Sequence, residues 1–141
     1  MKLYFDTSAL IKKYISEVGS ENVDKLLFSA TKVYISSIGE IESVSAFRRL
    51  LLEKEISPNE YHSMKKEVIQ DFLYFGVINI SIDIKKLSIK VIDKYQLKSL
   101  DSIHLGTAIS IKNEIDYFVS CDKKLLNVAK KEGLKVVNPR D

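Results

Sequence analysis

Short apolar runs that alternate with helical stretches are the feature of this sequence that most limits its fold. Runs of strand length occupy residues 2–5, 33–36, 76–80, 116–120 and 134–137, and a helical stretch follows each of the first four. This alternation is typical of parallel strands joined by crossover helices, and the runs are too apolar to leave one face in water. The sequence therefore predicts an α/β fold, a three-layer α/β/α sandwich with a short, mainly parallel central sheet.

Helical periodicity defines the segments between these runs. Apolar residues recur at helical spacing within residues 7–15, 20–30, 37–53, 57–75, 83–95, 99–113 and 122–131. Residues 37–40 (Ser-Ile-Gly-Glu) fit a capping box, and Pro58 takes the first helical position after Ser57. The segment 99–113 is apolar almost all round, so it is expected to be buried.

Length and composition predict one cytoplasmic domain over residues 1–141. With 45% hydrophobic and 29% charged residues, the chain can bury a core. No stretch reaches the roughly 20 apolar residues that cross a bilayer, and the first residues lack a leader's basic segment and cleavage site. A single cysteine, Cys121, excludes an internal disulfide and disfavours a zinc site. The net charge of +3 permits a polyanionic partner without indicating one.

Four acidic residues follow the predicted strands. Asp6 ends the first run, and Glu42 lies about one turn into the helix after the second. Asp101 lies in the first turn of the buried helix, and Asp122 stands just past the fourth run. Ligands of open parallel sheets bind beyond the carboxyl ends of the strands, so these side chains are expected to converge.

Each acid also has a structural interpretation. Asp6 and Asp122 could be helix N-caps, and Asp101 could stabilise the positive end of its helix. Glu42 is different, because Glu40 takes the capping-box position, which leaves Glu42 for a ligand or for solvent.

Together, four carboxylates at one edge repel each other unless a cation lies between them. Oxygen ligands without His or Cys suit Mg²⁺ or Mn²⁺, which keep several waters and share carboxylates with substrate phosphates. The expected chemistry is phosphoester hydrolysis, with one carboxylate left to orient or deprotonate the attacking water.

Four segments of the chain resemble those of PIN-domain ribonucleases, and among these the VapC-type toxins of bacterial and archaeal toxin–antitoxin pairs. They are residues 3–10 (LYFDTSAL), 36–46 (SSIGEIESVSA), 97–105 (LKSLDSIHL) and 118–125 (FVSCDKKL). Their order and spacing carry the resemblance, which extends from the first strand to the last helix.

The resemblance implies an endoribonuclease that uses Mg²⁺ or Mn²⁺, cuts RNA selectively, is inhibited by a cognate antitoxin and is usually a homodimer. Asp6 and Asp101 would then be the principal metal ligands. Glu42 would complete the acidic core, and Asp122 would be the fourth acid.

Thr7 and Ser8 are placed, on the same resemblance, to hydrogen-bond near Asp6 or a metal-bound water. The chain departs from the family at Gly39 and Glu40, where small or apolar residues are more usual. Glu40 is therefore expected to add negative charge at the mouth of the pocket and to influence substrate choice.

Basic residues near the acids are candidate substrate contacts. Arg48 and Arg49 lie about two turns beyond Glu42 on the same helix, where they could reach an RNA phosphate. Lys12 and Lys13 on the first helix are weaker candidates for the positive charge that an acidic pocket needs to admit RNA.

His104 follows Asp101 by three residues and could share its helix face. Mg²⁺ does not favour imidazole, so a buried, hydrogen-bonded histidine is expected here rather than a metal ligand or general base. The aromatic residues are expected to lie mostly in the core, and those of the segment 57–75 could also supply a dimer face; they are Tyr61, Phe72, Tyr74 and Phe75.

Three other interpretations were compared with the nuclease. A phosphatase of the haloacid-dehalogenase type requires a second Asp where this chain has Ser8. A receiver domain requires an acidic pair before the first helix, a phospho-accepting Asp after a central strand and a later strand-end Lys, but the third strand here ends without one. A PIN-like module that binds RNA or a protein without cleaving stays open as the alternative.

Overall fold

A computed structural model describes residues 1–141, and its centre is one five-stranded sheet. The strands are β1 (Lys2–Phe5), β2 (Lys32–Ser36), β3 (Gly76–Ile78), β4 (Tyr117–Val119) and β5 (Val136–Val137). Their order is β3-β2-β1-β4-β5, and every neighbouring pair is parallel. The predicted parallel sheet is confirmed, although β3, β4 and β5 are shorter than the apolar runs that contain them.

Helices flank this sheet, which confirms the predicted α/β/α architecture. They are α1 (Thr7–Leu10, continued by the 3-10 turn Ile11–Lys13), α2 (Ser20–Ser29), α3 (Ile38–Leu52), α4 (Pro58–Asp71), α5 (Ile82–Tyr95), α6 (Ser99–Ser110, followed by the 3-10 turn Lys112–Glu114) and α7 (Lys123–Lys131). None of these helices combines the length and the apolar character that crossing a membrane requires.

The capping box predicted at the start of α3 is wrong. Ser37 has helical backbone angles (φ −56°, ψ −25°), and its side chain caps no N–H. A capping side chain needs an extended backbone to turn its oxygen toward the free N–H groups. The motif occurs at α4 instead, where Ser57 and Glu60 exchange hydrogen bonds of 3.0 and 3.1 Å beside Pro58.

The core lies on both faces of the sheet. Along β1, Leu3 and Phe5 belong to one buried cluster, whereas Tyr4 belongs to the other. Helix α6 is buried as predicted and packs closely on α5, because a Cβ at Gly106 would lie 2.7 Å from the Ser88 hydroxyl. Leu105 of α6 lies in the same buried cluster as Tyr4 of β1, so α6, which carries Asp101, is fixed relative to the sheet.

Candidate active site

The strand order brings the predicted acids together at the carboxyl edge of the sheet. Central β1 lies between β2 and β4, and these three strands lead to Asp6, Glu42 and Asp122. Helix α6 contributes Asp101, whose pKa is raised by burial and by the negative charges of the other three carboxylates. All four acids therefore share one electrostatic environment.

Asp6 is buried, with 3% of its surface exposed, and both carboxylate oxygens are hydrogen-bonded. Oδ1 accepts from Ser8 Oγ at 2.7 Å and from the backbone N–H of Ala9 at 3.0 Å, which makes Asp6 the N-cap of α1. Oδ2 accepts from Ser120 Oγ at 2.6 Å. Burial raises the pKa of Asp6, although the neighbouring His104 and these hydrogen-bond donors oppose the shift.

Ser120 and Ser8 join Asp6 to the loop that carries Asp122. Ser120 Oγ accepts from the Asp122 N–H at 3.0 Å, and Ser8 Oγ accepts from the Cys121 N–H at 3.2 Å. Asp122 caps α7 through Oδ1, which leaves Oδ2 without a protein partner. Sequence reasoning missed Ser120; a hydroxyl that ends a buried strand beside the strand of Asp6 was the available signal.

Glu42 is held through one carboxylate oxygen. Oε1 accepts from Thr7 Oγ1 at 2.7 Å and lies 2.8 Å from His104 Nε2, whereas Oε2 has no hydrogen bond to the protein. Burial acts to raise the pKa of Glu42, but the contacts with His104 and Thr7 outweigh it and the pKa is lowered. Glu42 is therefore not a helix cap and is not a freely solvated surface residue, because Thr7 and His104 hold its carboxylate.

His104 is 2% exposed and lies behind Glu42. Its Nδ1 is 2.8 Å from Tyr4 Oη, and its Nε2 is also 3.1 Å from Thr7 Oγ1. The expected buried, hydrogen-bonded histidine is confirmed, but its link to Glu42 was not predicted.

Asp101 differs from the other acids because its half-buried carboxylate has no hydrogen bond to the protein. No three His, Cys, Asp or Glu side chains stand close enough to coordinate one ion as they are placed. Mg²⁺ typically keeps several waters and takes only one or two protein carboxylates, so a hydrated ion does not require three protein ligands in contact with it. Free oxygens on Asp101, Asp122 and Glu42, together with their repulsion, fit such a cation.

The predicted basic contacts divide into two groups. Arg49 lines a cleft of about 320 Å³ together with Glu42, and Arg48 lines an adjacent cleft of about 780 Å³ together with Glu40. The negative charge of Glu40 thus lies beside Arg48, in the cleft next to that of Glu42.

The two lysines of the first helical segment are held in ion pairs. Lys12 is 2% exposed and pairs with Glu17 at 2.7 Å, and Lys13 pairs with Asp71 and, at 3.9 Å, with Glu67. Acidic partners within the protein therefore offset the charge of both lysines, and the sequence pattern gave no sign of these partners.

The aromatic residues around α4 do not form the single face that was predicted. Phe72 is buried in the core and Phe75 packs against it, whereas Tyr74 is 83% exposed. Helix α4 ends at Asp71, so the last three of these aromatics do not continue its face.

Comparisons with known proteins agree with the fold and with the resemblance. The family model of the PIN domain matches residues 3–131. The chain is 28% identical over 138 residues to a protein named Ribonuclease VapC47 from Mycobacterium tuberculosis, which covers 97% of this chain and 96% of that protein.

Solved structures share the fold at lower identity. A toxin–antitoxin complex from Klebsiella pneumoniae contains a chain with a TM-score of 0.69 and 22% identity, covering 97% of both chains. The sarcin-ricin loop cleaving toxin VapC20 of Mycobacterium tuberculosis has a TM-score of 0.66 and 14% identity, covering 94% of this chain and 95% of that one. Since the family model spans residues 3–131, including all four acids, this chain belongs to the PIN domain family.

Proposed function

We propose that this protein is a metal-dependent endoribonuclease, the toxin of a type II toxin–antitoxin pair, with residues 1–141 acting as a single nuclease domain. The observation that carries the proposal is the group of four acids at one sheet edge, of which Asp101 has no partner in the protein. Membership of the PIN domain family and similarity to a protein named as a ribonuclease support it.

The proposed metal ligands are Asp6 and Asp101, with Glu42 and Asp122 completing the acidic group. Oxygen-only donors and mutual repulsion favour Mg²⁺, with Mn²⁺ as a substitute. When bound, such an ion activates water for attack and neutralises charge on the scissile phosphodiester.

The chain's own side chains supply orientation around this centre. Ser8 holds Asp6, and Thr7 holds Glu42, through hydrogen bonds of 2.7 Å each. The free Oδ2 of Asp122 is available to orient or deprotonate the attacking water.

Substrate binding is assigned to residues beside these acids. Arg49 shares a cleft with Glu42, which supports a contact with an RNA phosphate next to the scissile bond. Arg48 lines the neighbouring cleft and is proposed to contact the part of the RNA strand that extends beyond the acidic site. Thr7 and Ser8 complete the polar lining of the site.

We further propose a cognate antitoxin as partner, a homodimeric state and a cytoplasmic location. The related Klebsiella pneumoniae structure is a toxin–antitoxin complex. Large apolar side chains are exposed on this chain and offer surface for protein partners. They include Val18, Phe28, Ile41, Leu73 and Tyr74.

The direct test is cleavage of a mixed structured RNA pool by the purified protein with Mg²⁺, with Mn²⁺ and with chelator. Loss of an outer-shell partner already costs metalloenzymes about 10–100-fold, so Asp6→Asn and Asp101→Asn should each lower the rate by at least about 100-fold. Asp93→Asn, at an exposed position of α5, is the matched control and should cut normally.

The alternative is a PIN-like module that binds RNA or a protein without cleaving. It would hold if wild type and variants were equally inert in every metal while the wild type still bound RNA or a partner. The repulsion among the four acids favours the nuclease, because a binding module would gain nothing from it.

A further inference from the structure

We propose that His104 is a positioning residue, which holds Glu42 through Oε1 and thereby fixes a carboxylate whose Oε2 has no partner in the protein. The inference deepens the proposed nuclease function and rests on it for its catalytic consequence. Its structural basis is a set of contacts that link the buried His104 to Glu42, Thr7 and Tyr4.

The hydrogen-bond geometry requires a proton on Nε2 of His104. A carboxylate oxygen can only accept, so the 2.8 Å contact between Nε2 and Glu42 Oε1 needs the imidazole to donate. Thr7 Oγ1 donates its own proton to the same oxygen at 2.7 Å, which leaves it as a weaker acceptor 3.1 Å from Nε2.

Tyr4 fixes the other side of the ring. Its hydroxyl lies 2.8 Å from Nδ1 and is buried on the central strand β1. The ring is therefore held at both nitrogens, one by the sheet and one by Glu42, with little room to rotate because His104 is almost fully buried.

The ring also sets the spacing of two acids that come from different helices. His104 and Asp101 lie on α6, one turn apart, whereas Glu42 lies on α3. Asp101 has no hydrogen bond of its own, so its position depends on α6. A contact between His104 and Glu42 therefore fixes the approach of α3 to the first turn of α6.

Two polar substitutions separate this role from a purely structural one. In His104→Gln, the amide nitrogen can reach the place of Nε2 and donate to Glu42. In His104→Asn, the shorter amide can serve only the Tyr4 side, and Glu42 keeps Thr7 alone. The exposed His62 provides the matched control, His62→Asn.

The first measurement is the ¹⁵N spectrum of the His104 ring in metal-free wild-type protein. A proton on Nε2 is expected, in either the neutral or the charged ring. A ring with its only proton on Nδ1 would overturn the proposal, whatever the activity of the protein.

The second measurement compares Mn²⁺ affinity, by calorimetry without RNA, and RNA cleavage in the variants. His104→Asn should weaken Mn²⁺ binding and lower kcat by about 10–100-fold with little change in KM, while His104→Gln restores most of both. Equal behaviour of the two variants would overturn the proposal. If wild type binds Mn²⁺ in this pattern but cuts no RNA, the proposed function fails while the positioning role holds.

Discussion

The four acids at the carboxyl edge of the sheet form two pairs that the protein holds differently. Asp6 and Glu42, the anchored pair, receive five hydrogen bonds; the donors are Ser8, Ala9, Ser120, Thr7 and His104. Asp101 and Asp122, the open pair, receive one, from the Leu125 N–H to Asp122. The anchored pair is thus fixed by the folded framework even without a ligand, whereas the open pair is positioned almost entirely by the helices that carry it.

The two ends of the sheet differ in a similar way. The amino end carries a cleft of about 540 Å³ lined by Lys112, Asp116 and Tyr117 among others, which is larger than the cleft beside Glu42. No group of acids converges there. Convergent polar groups with perturbed pKa values, rather than volume, identify the functional end of the molecule.

The largest expected effect comes from Asp101→Asn in the open pair. Because this carboxylate has no donor to lose, we expect the cleavage rate to fall by at least about 100-fold without any loss of stability. Tm measured without metal should stay equal or rise, since the repulsion among the acids is relieved. A fall in Tm would break the distinction between the pairs.

Asp6→Ala should give the opposite pattern of stability with a similar loss of activity. The substitution removes the N-cap of α1 and leaves the Ser8 and Ser120 hydroxyls without their acceptor. We expect the free energy of unfolding to fall by about 1–2 kcal/mol in urea titrations. Asp93→Ala is the control, and an unchanged urea midpoint for Asp6→Ala would contradict the anchored role.

Ser120→Ala should weaken the anchored pair without removing an acid. Asp6 Oδ2 would lose its 2.6 Å donor while buried, so we expect a loss of about 1–3 kcal/mol in stability. Activity should fall by about 10-fold, as for other outer-shell partners. Ser110→Ala, at the far end of α6, serves as the control, and an effect equal to that of the control would contradict this role.

The pH dependence of stability should separate the pairs by sign. The pKa of Asp101 is raised by burial and by neighbouring carboxylates, so its stabilising contribution is present below its unfolded pKa and is lost as pH rises through the folded value. The lowered pKa of Glu42 acts oppositely: its contribution is present above the unfolded pKa and is lost as pH falls through the folded one.

Urea titrations without metal, run on both sides of the unfolded carboxyl pKa of about 4, can measure this contrast, because the Glu42 trend falls mainly below that value and the Asp101 trend above it. The stability of Asp101→Asn relative to wild type should increase with pH, whereas that of Glu42→Gln should decrease. Mg²⁺ should abolish the first trend by neutralising the repulsion. Identical trends for both variants would mean that the two acids are not held differently.

Much of the fold was predictable because buried parallel strands are apolar on both sides and alternate with helices. The placement of Asp6, Glu42 and Asp122 followed from the rule that parallel strands end at one edge. Helix ends were less predictable. Ser37 is a residue type that often caps helices, but its backbone is helical and its side chain therefore caps no N–H.

The contacts that hold the site were not predictable from the sequence. Ser120 lies 114 residues from Asp6, and His104 lies 62 residues from Glu42, so no local pattern links them. The ion pairs of Lys12 and Lys13 were missed because lysines are usually exposed on the surface of a protein. Only the packing of α1 shows that acidic side chains lie beside them.

Anomalous diffraction from crystals grown with Mn²⁺ can show directly whether these acids bind a metal ion. We expect a manganese peak at the carboxylates of Asp6 and Asp101, and its loss in crystals of Asp101→Asn that keep the same fold. A protein that binds no manganese at this edge, or binds it only elsewhere, would contradict the assignment of these acids to a metal centre.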